Sequence, residues 1–222
     1  MQGHDHAMGA AREIFCRLLA ACYYQPGPEF AEEKVFDSML ESAGRIGPDF
    51  AAGARRLGEA FSAEGPDRLL LDYTPLFLGP NQALAQPYGS VWLEPDKTLM
   101  QESTMAVIAL YEEGGFEIAE DFRELPDHIA AELEFLYLLI FRENQAHRNG
   151  EPGALAAAAG LRRRFLDEHL GRWVGPFAAA VRSGAQSAFY RELAGLTDRF
   201  VRMEAGAAPP ASGSPGWRPA PG

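Results

Sequence analysis

Glu124-Leu125-Pro126-Asp127-His128-Ile129-Ala130-Ala131-Glu132-Leu133-Glu134-Phe135 reads as the start of a helix. Pro126 suits the first helical position, where no amide donor is needed and φ is already helical. Asp127 places negative charge at the positive end of the helix dipole. Ile129, Leu133, Leu136 and Ile140 recur at spacings of three and four and make one apolar face. His128 and Glu132, four apart, stand one above the other on a neighbouring face. Taken alone, the stretch is a well-made start to a buried helix.

Working outward, the same periodicity fills most of the 222 residues. Helices are expected over about Met8–Tyr24, Glu29–Ala43, Asp49–Ala63, Asp67–Phe77 and Leu99–Glu113 before this one. After it, helices are expected over Ala154–Leu170, Trp173–Ser183 and Ser187–Glu204. Gln25-Pro26-Gly27-Pro28, Gly65-Pro66 and Asn149-Gly150-Glu151-Pro152-Gly153 are the breaks. Nothing alternates with period two. The expected fold is all-α, a single domain of eight or nine helices over residues 1–204 without a sheet. Residues 205–222, rich in Gly, Pro, Ala and Ser around a lone Trp217, read as a disordered tail. Two irregular segments interrupt the helices: a long loop over about 78–95 and an acidic connector over about 116–125. Long loops inside compact domains are uncommon and often functional.

Composition narrows the function. No apolar run approaches a membrane span of about 20 residues. Residues 1–6 lack the basic and apolar regions of a signal peptide, so a cytoplasmic protein is expected. Cys16 and Cys22 are spaced wrongly for a redox pair or a zinc site and read as buried thiols. The net charge of -11 is uneven. Residues 1–128 hold 22 Asp and Glu against 9 Lys and Arg, and the remainder holds 9 against 11. An acidic front disfavours nucleic acid. It suits a cationic partner, or it serves solubility alone.

Enzyme signatures are missing: no P-loop, no GxGxxG after a strand, no GxSxG elbow. Glu124 to His128 and Glu143 to His147 are each one residue too long for the Glu-x-x-His of di-metal helical enzymes. A helical metal-dependent enzyme using His128 and Glu132 stands as a competing reading, although two ligands do not make a site.

Two further stretches carry more. Tyr73-Thr74-Pro75-Leu76-Phe77-Leu78-Gly79-Pro80 is followed by Pro87-Tyr88-Gly89-Ser90-Val91-Trp92-Leu93, and then by the Glu124–Phe135 stretch. In this order and spacing the set resembles the TorD/DmsD family of cytoplasmic chaperones for molybdenum-containing oxidoreductases. The resemblance is close over roughly residues 70–139 and loose elsewhere. It implies an all-α fold peculiar to that family and no catalysed reaction. It also implies binding of the twin-arginine signal peptide of an apoenzyme, held back from export until its molybdopterin is inserted. No cofactor of the chain's own is expected. The resemblance carries Tyr73, Leu76 and Phe77 over as the Tyr-x-x-Leu-Phe positions, and Pro87, Tyr88, Gly89, Ser90 and Trp92 as a loop lining the peptide groove. Tyr88 stands where some members have tryptophan. Asp127 and His128 match the polar pair implicated in recognition, with Glu124 and Glu132 beside them.

Residue chemistry agrees with that role. Leader arginines need carboxylates, and a leader's apolar segment needs an aromatic-lined groove. Asp127 is expected to accept from an arginine directly. His128 is expected either to titrate near neutral pH as a recognition group or to pack and cap. Replacing both is expected to weaken leader binding while stability barely moves. A sister reading is a chaperone of a non-exported molybdoenzyme subunit, of the nitrate-reductase-assembly type. Either a monomer or a domain-swapped dimer fits.

Overall fold

Glycine and proline set the helix ends in the computed structural model, which describes residues 2–28, 30, 34–78, 83–96, 98–118 and 124–206, the side chains of 2–5 excepted. The α-helices are α1 (Gln2–Ala21), α2 (Val35–Ile46), α3 (Pro48–Tyr73), α4 (Gly89–Leu93), α5 (Glu102–Glu113), α6 (Ile129–Asn149), α7 (Pro152–Phe165), α8 (Gly171–Gly184) and α9 (Ala188–Glu204). Two wider, π-type turns, Thr74–Leu78 and Leu166–Leu170, extend α3 and α7. Among the described residues no strand forms, and the all-α expectation holds. An isolated antiparallel bridge pairs Tyr88 with His128.

Several boundaries differ from the sequence reading. The expected third and fourth helices run on as α3, broken at Gly65, whose φ of 71° only glycine adopts cheaply. The expected seventh and eighth run through the second π turn into α8. The loop over 78–95 is partly helical, since Gly89–Leu93 is α4. Part of the expected second helix and of the acidic connector, and the expected tail from residue 207, lie outside the described residues.

The helices pack as neighbouring pairs: α1 on α2 and α6, α6 on α7, α9 on α3 and α8. Aromatic rings knit the interior. Phe15 meets Phe50 and Phe200, and Phe77 meets Tyr23, Tyr73, Phe177 and Tyr190. Such offset and edge contacts each add about 0.5–1.5 kcal/mol beyond burial. Carboxylates on α3 hold the start of α9. Glu64 accepts from the amides of Ala188 and Phe189, and Asp72 from those of Gln186 and Ser187.

The far end of α6 is tied by charge. Arg162 donates to Glu143 at 2.6 Å and to Glu204 at 3.2 Å, and Arg12 grips Glu204 at 2.5 and 2.6 Å. This clamp joins α1, α6, α7 and α9. Of the three adjacent arginines at 162–164, Arg162 is the one turned inward.

Candidate functional site

Pro75 has no amide to give to the carbonyl of Leu71, and the chain widens there into the first π turn. The last residue of α3, Tyr73, and Leu76 and Phe77 of the turn point inward, all buried. Tyr73 donates its hydroxyl to the carbonyl of Tyr23. These three form a floor, packed as core. The chain returns onto the same turn, with Leu84 N donating to Pro75 O and Ala85 N to Leu76 O.

From here the loop lies across the start of α6. Ile129 N donates to Pro87 O and Gly89 N to Asp127 O, each at 2.8 Å. The Tyr88 ring stands edge-on to His128 at 5.4 Å, and its hydroxyl donates to Glu124 at 2.6 Å. Trp92 donates to Gln86 O and lies against Phe177. The three motif stretches thus meet in one assembly, with the Tyr88–His128 bridge at its centre.

The polar residues are deeper than the sequence suggested. Asp127 is fully buried. Its Oδ2 accepts from Ser90 N at 2.8 Å, at the start of α4, and from Thr104 Oγ1 at 3.2 Å, on α5. It therefore joins two helices to a third, and does not present a carboxylate at the surface as expected. Asp127 Oδ1 and Ser90 Oγ, both buried, have no hydrogen-bond partner among the described residues. Pro126 is not the first helical residue either. The helix begins three residues later because the backbone at His128 is extended and bridged to Tyr88.

His128 caps α6, its Nδ1 accepting from Ala130 N. Burial pushes its pKa down to about 3, so it is neutral at physiological pH and does not titrate there. Glu132 is fully buried, with Oε1 2.8 Å from His169 Nε2 and Oε2 accepting from Trp173 Nε1 at 3.0 Å. Burial works to lower the His169 pKa, but the Glu132 carboxylate outweighs it and leaves it raised. Burial raises Glu132, partly offset by His169 and Trp173. The pair therefore holds its shared proton tightly. Gly89 lies directly above: a Cβ there would come within 3.0 Å of Glu132 Oε1 and 3.1 Å of both His169 Nε2 and Trp173 Nε1. Only a residue without a side chain lets the loop sit so low.

His169, Trp173 and Thr104 escaped the sequence reading. His169 and Trp173 lie 37 and 41 residues beyond Glu132, so no local spacing links them. His128 and Glu132 turn to different partners, which counts against a shared metal site. Among the described residues no cluster of three or more metal-ligating side chains forms.

Of the expected contact residues, Tyr88, Trp92 and Glu124 are half-buried, and the other nine are buried. Among the described residues, most of the expected groove lining is packed as interior. Clefts of about 370, 350 and 560 Å³ lie elsewhere, at α5–α6–α7, α1–α2 and α2–α3, and none is lined by these residues. Replacing Asp127 and His128 together must therefore cost stability, contrary to the expectation from sequence.

Comparison with known proteins adds a second line. The family model described as nitrate reductase delta subunit matches residues 45–179. The chaperone protein TorD of Photobacterium profundum is 29% identical over 137 residues, 62% of this chain and 62% of that protein. The chain thus spans less than two thirds of that relative's length. TorD of Shewanella loihica is 25% identical over 179 residues, 78% of each chain. A selenate reductase assembly chaperone protein of Thauera selenatis is 42% identical over 74 residues, 32% of this chain and 36% of that one. A solved structure from Archaeoglobus fulgidus, described as a redox enzyme maturation protein, superposes with a TM-score of 0.54 at 21% identity. It covers 86% of this chain and 93% of its own. At that identity the likeness is one of fold.

Proposed function

Because the chain belongs to the nitrate reductase delta subunit family, in which the TorD/DmsD resemblance places it, we propose that it is a non-catalytic maturation chaperone for a molybdenum-containing oxidoreductase. It binds the twin-arginine leader of the apoenzyme and releases it once the cofactor is in place. The work is done in the cytoplasm, where the apoenzyme is made. The observation that carries this reading is the meeting of the three motif stretches at the Tyr88–His128 bridge. Relatives named as TorD chaperones and as a selenate reductase assembly chaperone support it.

The chemistry required is recognition alone. A leader offers two guanidinium groups and an apolar run. The acidic front of this chain, with Glu124 half-buried beside Tyr88, attracts the first. Calorimetric titration of the full chain with a synthetic twin-arginine leader tests the proposal. Saturable binding that weakens from low to moderate salt is the expected result, since the arginine component is screened within about 10 Å at 0.1 M salt. A leader that fails to bind at any salt overturns it.

A second reading, prompted by the nitrate reductase delta subunit family, is a chaperone of a molybdoenzyme subunit that is not exported. Pull-down of a client with its leader deleted separates the two. Retention of the shortened client supports the second reading, and its loss supports the first.

A further inference from the structure

The residues singled out by the motif are mostly sealed, so the surface that touches a partner has to be sought beside them. Leu99, Met100 and Met105 are 43%, 57% and 61% exposed, three large apolar side chains within seven residues. On α5 the inward residues are Thr104, Val107, Leu110 and Tyr111. The outward stripe is Glu102, Met105, Ala106, Ala109, Glu112 and Glu113. The middle of this stripe carries no charge, whereas a surface helix ordinarily turns its polar side to water. Both ends carry carboxylates.

Charge completes the description. From Leu93 to Glu113 the sequence holds Glu94, Asp96, Glu102, Glu112 and Glu113 against one cation, Lys97. Glu94 is occupied in capping α5 through Ser103 N, and Glu113 pairs with Arg164. Among the described residues no ion pair engages Asp96, Glu102 or Glu112. An uncharged patch on α5 between Glu102 and Glu112, which stand about 15 Å apart along the helix, complements a peptide that carries an apolar run beside arginines. Two flexible thioethers let the stripe adapt to differing apolar sequences.

We propose that the outward face of α5, with Leu99 and Met100 before it, is the docking surface for the apolar segment of such a cationic leader. This rests on the leader-binding reading above and gives it a location. Asp127 then acts as a positioning residue. Its Oδ2 holds Thr104 on the inner side of the same helix, and so fixes the outer side that meets the peptide.

The test uses the full chain and a fluorescein-labelled twin-arginine leader peptide, followed by anisotropy. Met100→Ser with Met105→Ser removes apolar contact without touching charge or core. It is expected to raise Kd about tenfold, roughly 1.4 kcal/mol of lost burial, with Tm unchanged. Asp96→Asn with Glu102→Gln is expected to flatten the salt dependence of Kd. If wild type binds and the double serine variant binds equally well, the location is wrong while the leader reading stands. If wild type does not bind, both fall. Sedimentation velocity closes the remaining route: a wild-type dimer that the serine variant dissolves means a second copy covers the stripe, and overturns the proposal.

Discussion

The two ends of α6 both bury charge, and they do so in opposite ways. At the C-terminal end Glu143 and Glu204 are gripped by Arg12 and Arg162, whose side chains are themselves 23% and 17% exposed. Water reaches the cations, and every element tied there is a helix. At the N-terminal end Asp127, His128, Glu132 and His169 are at most 2% exposed. Among the described residues no arginine pairs with these acids and one carboxylate oxygen lacks a partner, and a loop and a five-residue helix are what is held. A clamp with wet cations tolerates imperfection. A sealed set of acids and imidazoles depends on every contact, and loses position as well as energy when one is removed.

Glu132→Ala separates the two ends most sharply. It strands His169 in the interior and is expected to cost about 3–5 kcal/mol in chemical denaturation. Glu204→Ala, which leaves two arginines within reach of water, is expected to cost about 2 kcal/mol. Equal losses would break the comparison. Gly89→Ala comes next. Its new methyl meets three polar atoms at 3.0–3.1 Å, and the loop must rise, at about 1–3 kcal/mol. Limited proteolysis at the loop should quicken in this variant and stay unchanged in Glu204→Ala.

A pH dependence gives a further test of the sealed end. Unfolded, His128 takes up its proton near 6.5; folded, only near 3. Between those values the unfolded chain binds one more proton, so stability falls as pH drops through the window. His128→Asn, which keeps an acceptor for the amide of Ala130, should flatten that acid limb. Denaturation midpoints from pH 7 to 4 measure it. A limb as steep as the wild type's would mean that His128 is already charged in the fold.

How much of this could be read beforehand follows from the range of the forces. The face of Ile129, Leu133, Leu136 and Ile140 was legible because helical periodicity is local, and all four are fully buried. Gly150, at φ 68°, ends α6 where the Asn-Gly-Glu-Pro run said it would. The start of α6 was misplaced because Pro126 and Asp127 carry helix-start chemistry, and a bridge from Tyr88, 40 residues away, overrode it. Asp127 reads in the sequence as a surface carboxylate, yet it lies in the interior. Local sequence states that a carboxylate is present, and only the packing of α4 and α5 around it states which way it faces. The outward stripe of α5 was written in the sequence too, though it read as ordinary helix until the inward side was known.

Cys16 and Cys22 are 0% and 1% exposed, and burial drives both thiols up, Cys22 to about 12. Neither offers a thiolate to maleimide while the chain is folded. A cysteine introduced at position 105 would therefore be the sole site to accept a dye or a photo-crosslinker, with the native pair left in place. The molecule comes already prepared for attaching a reporter and catching whatever settles beside it.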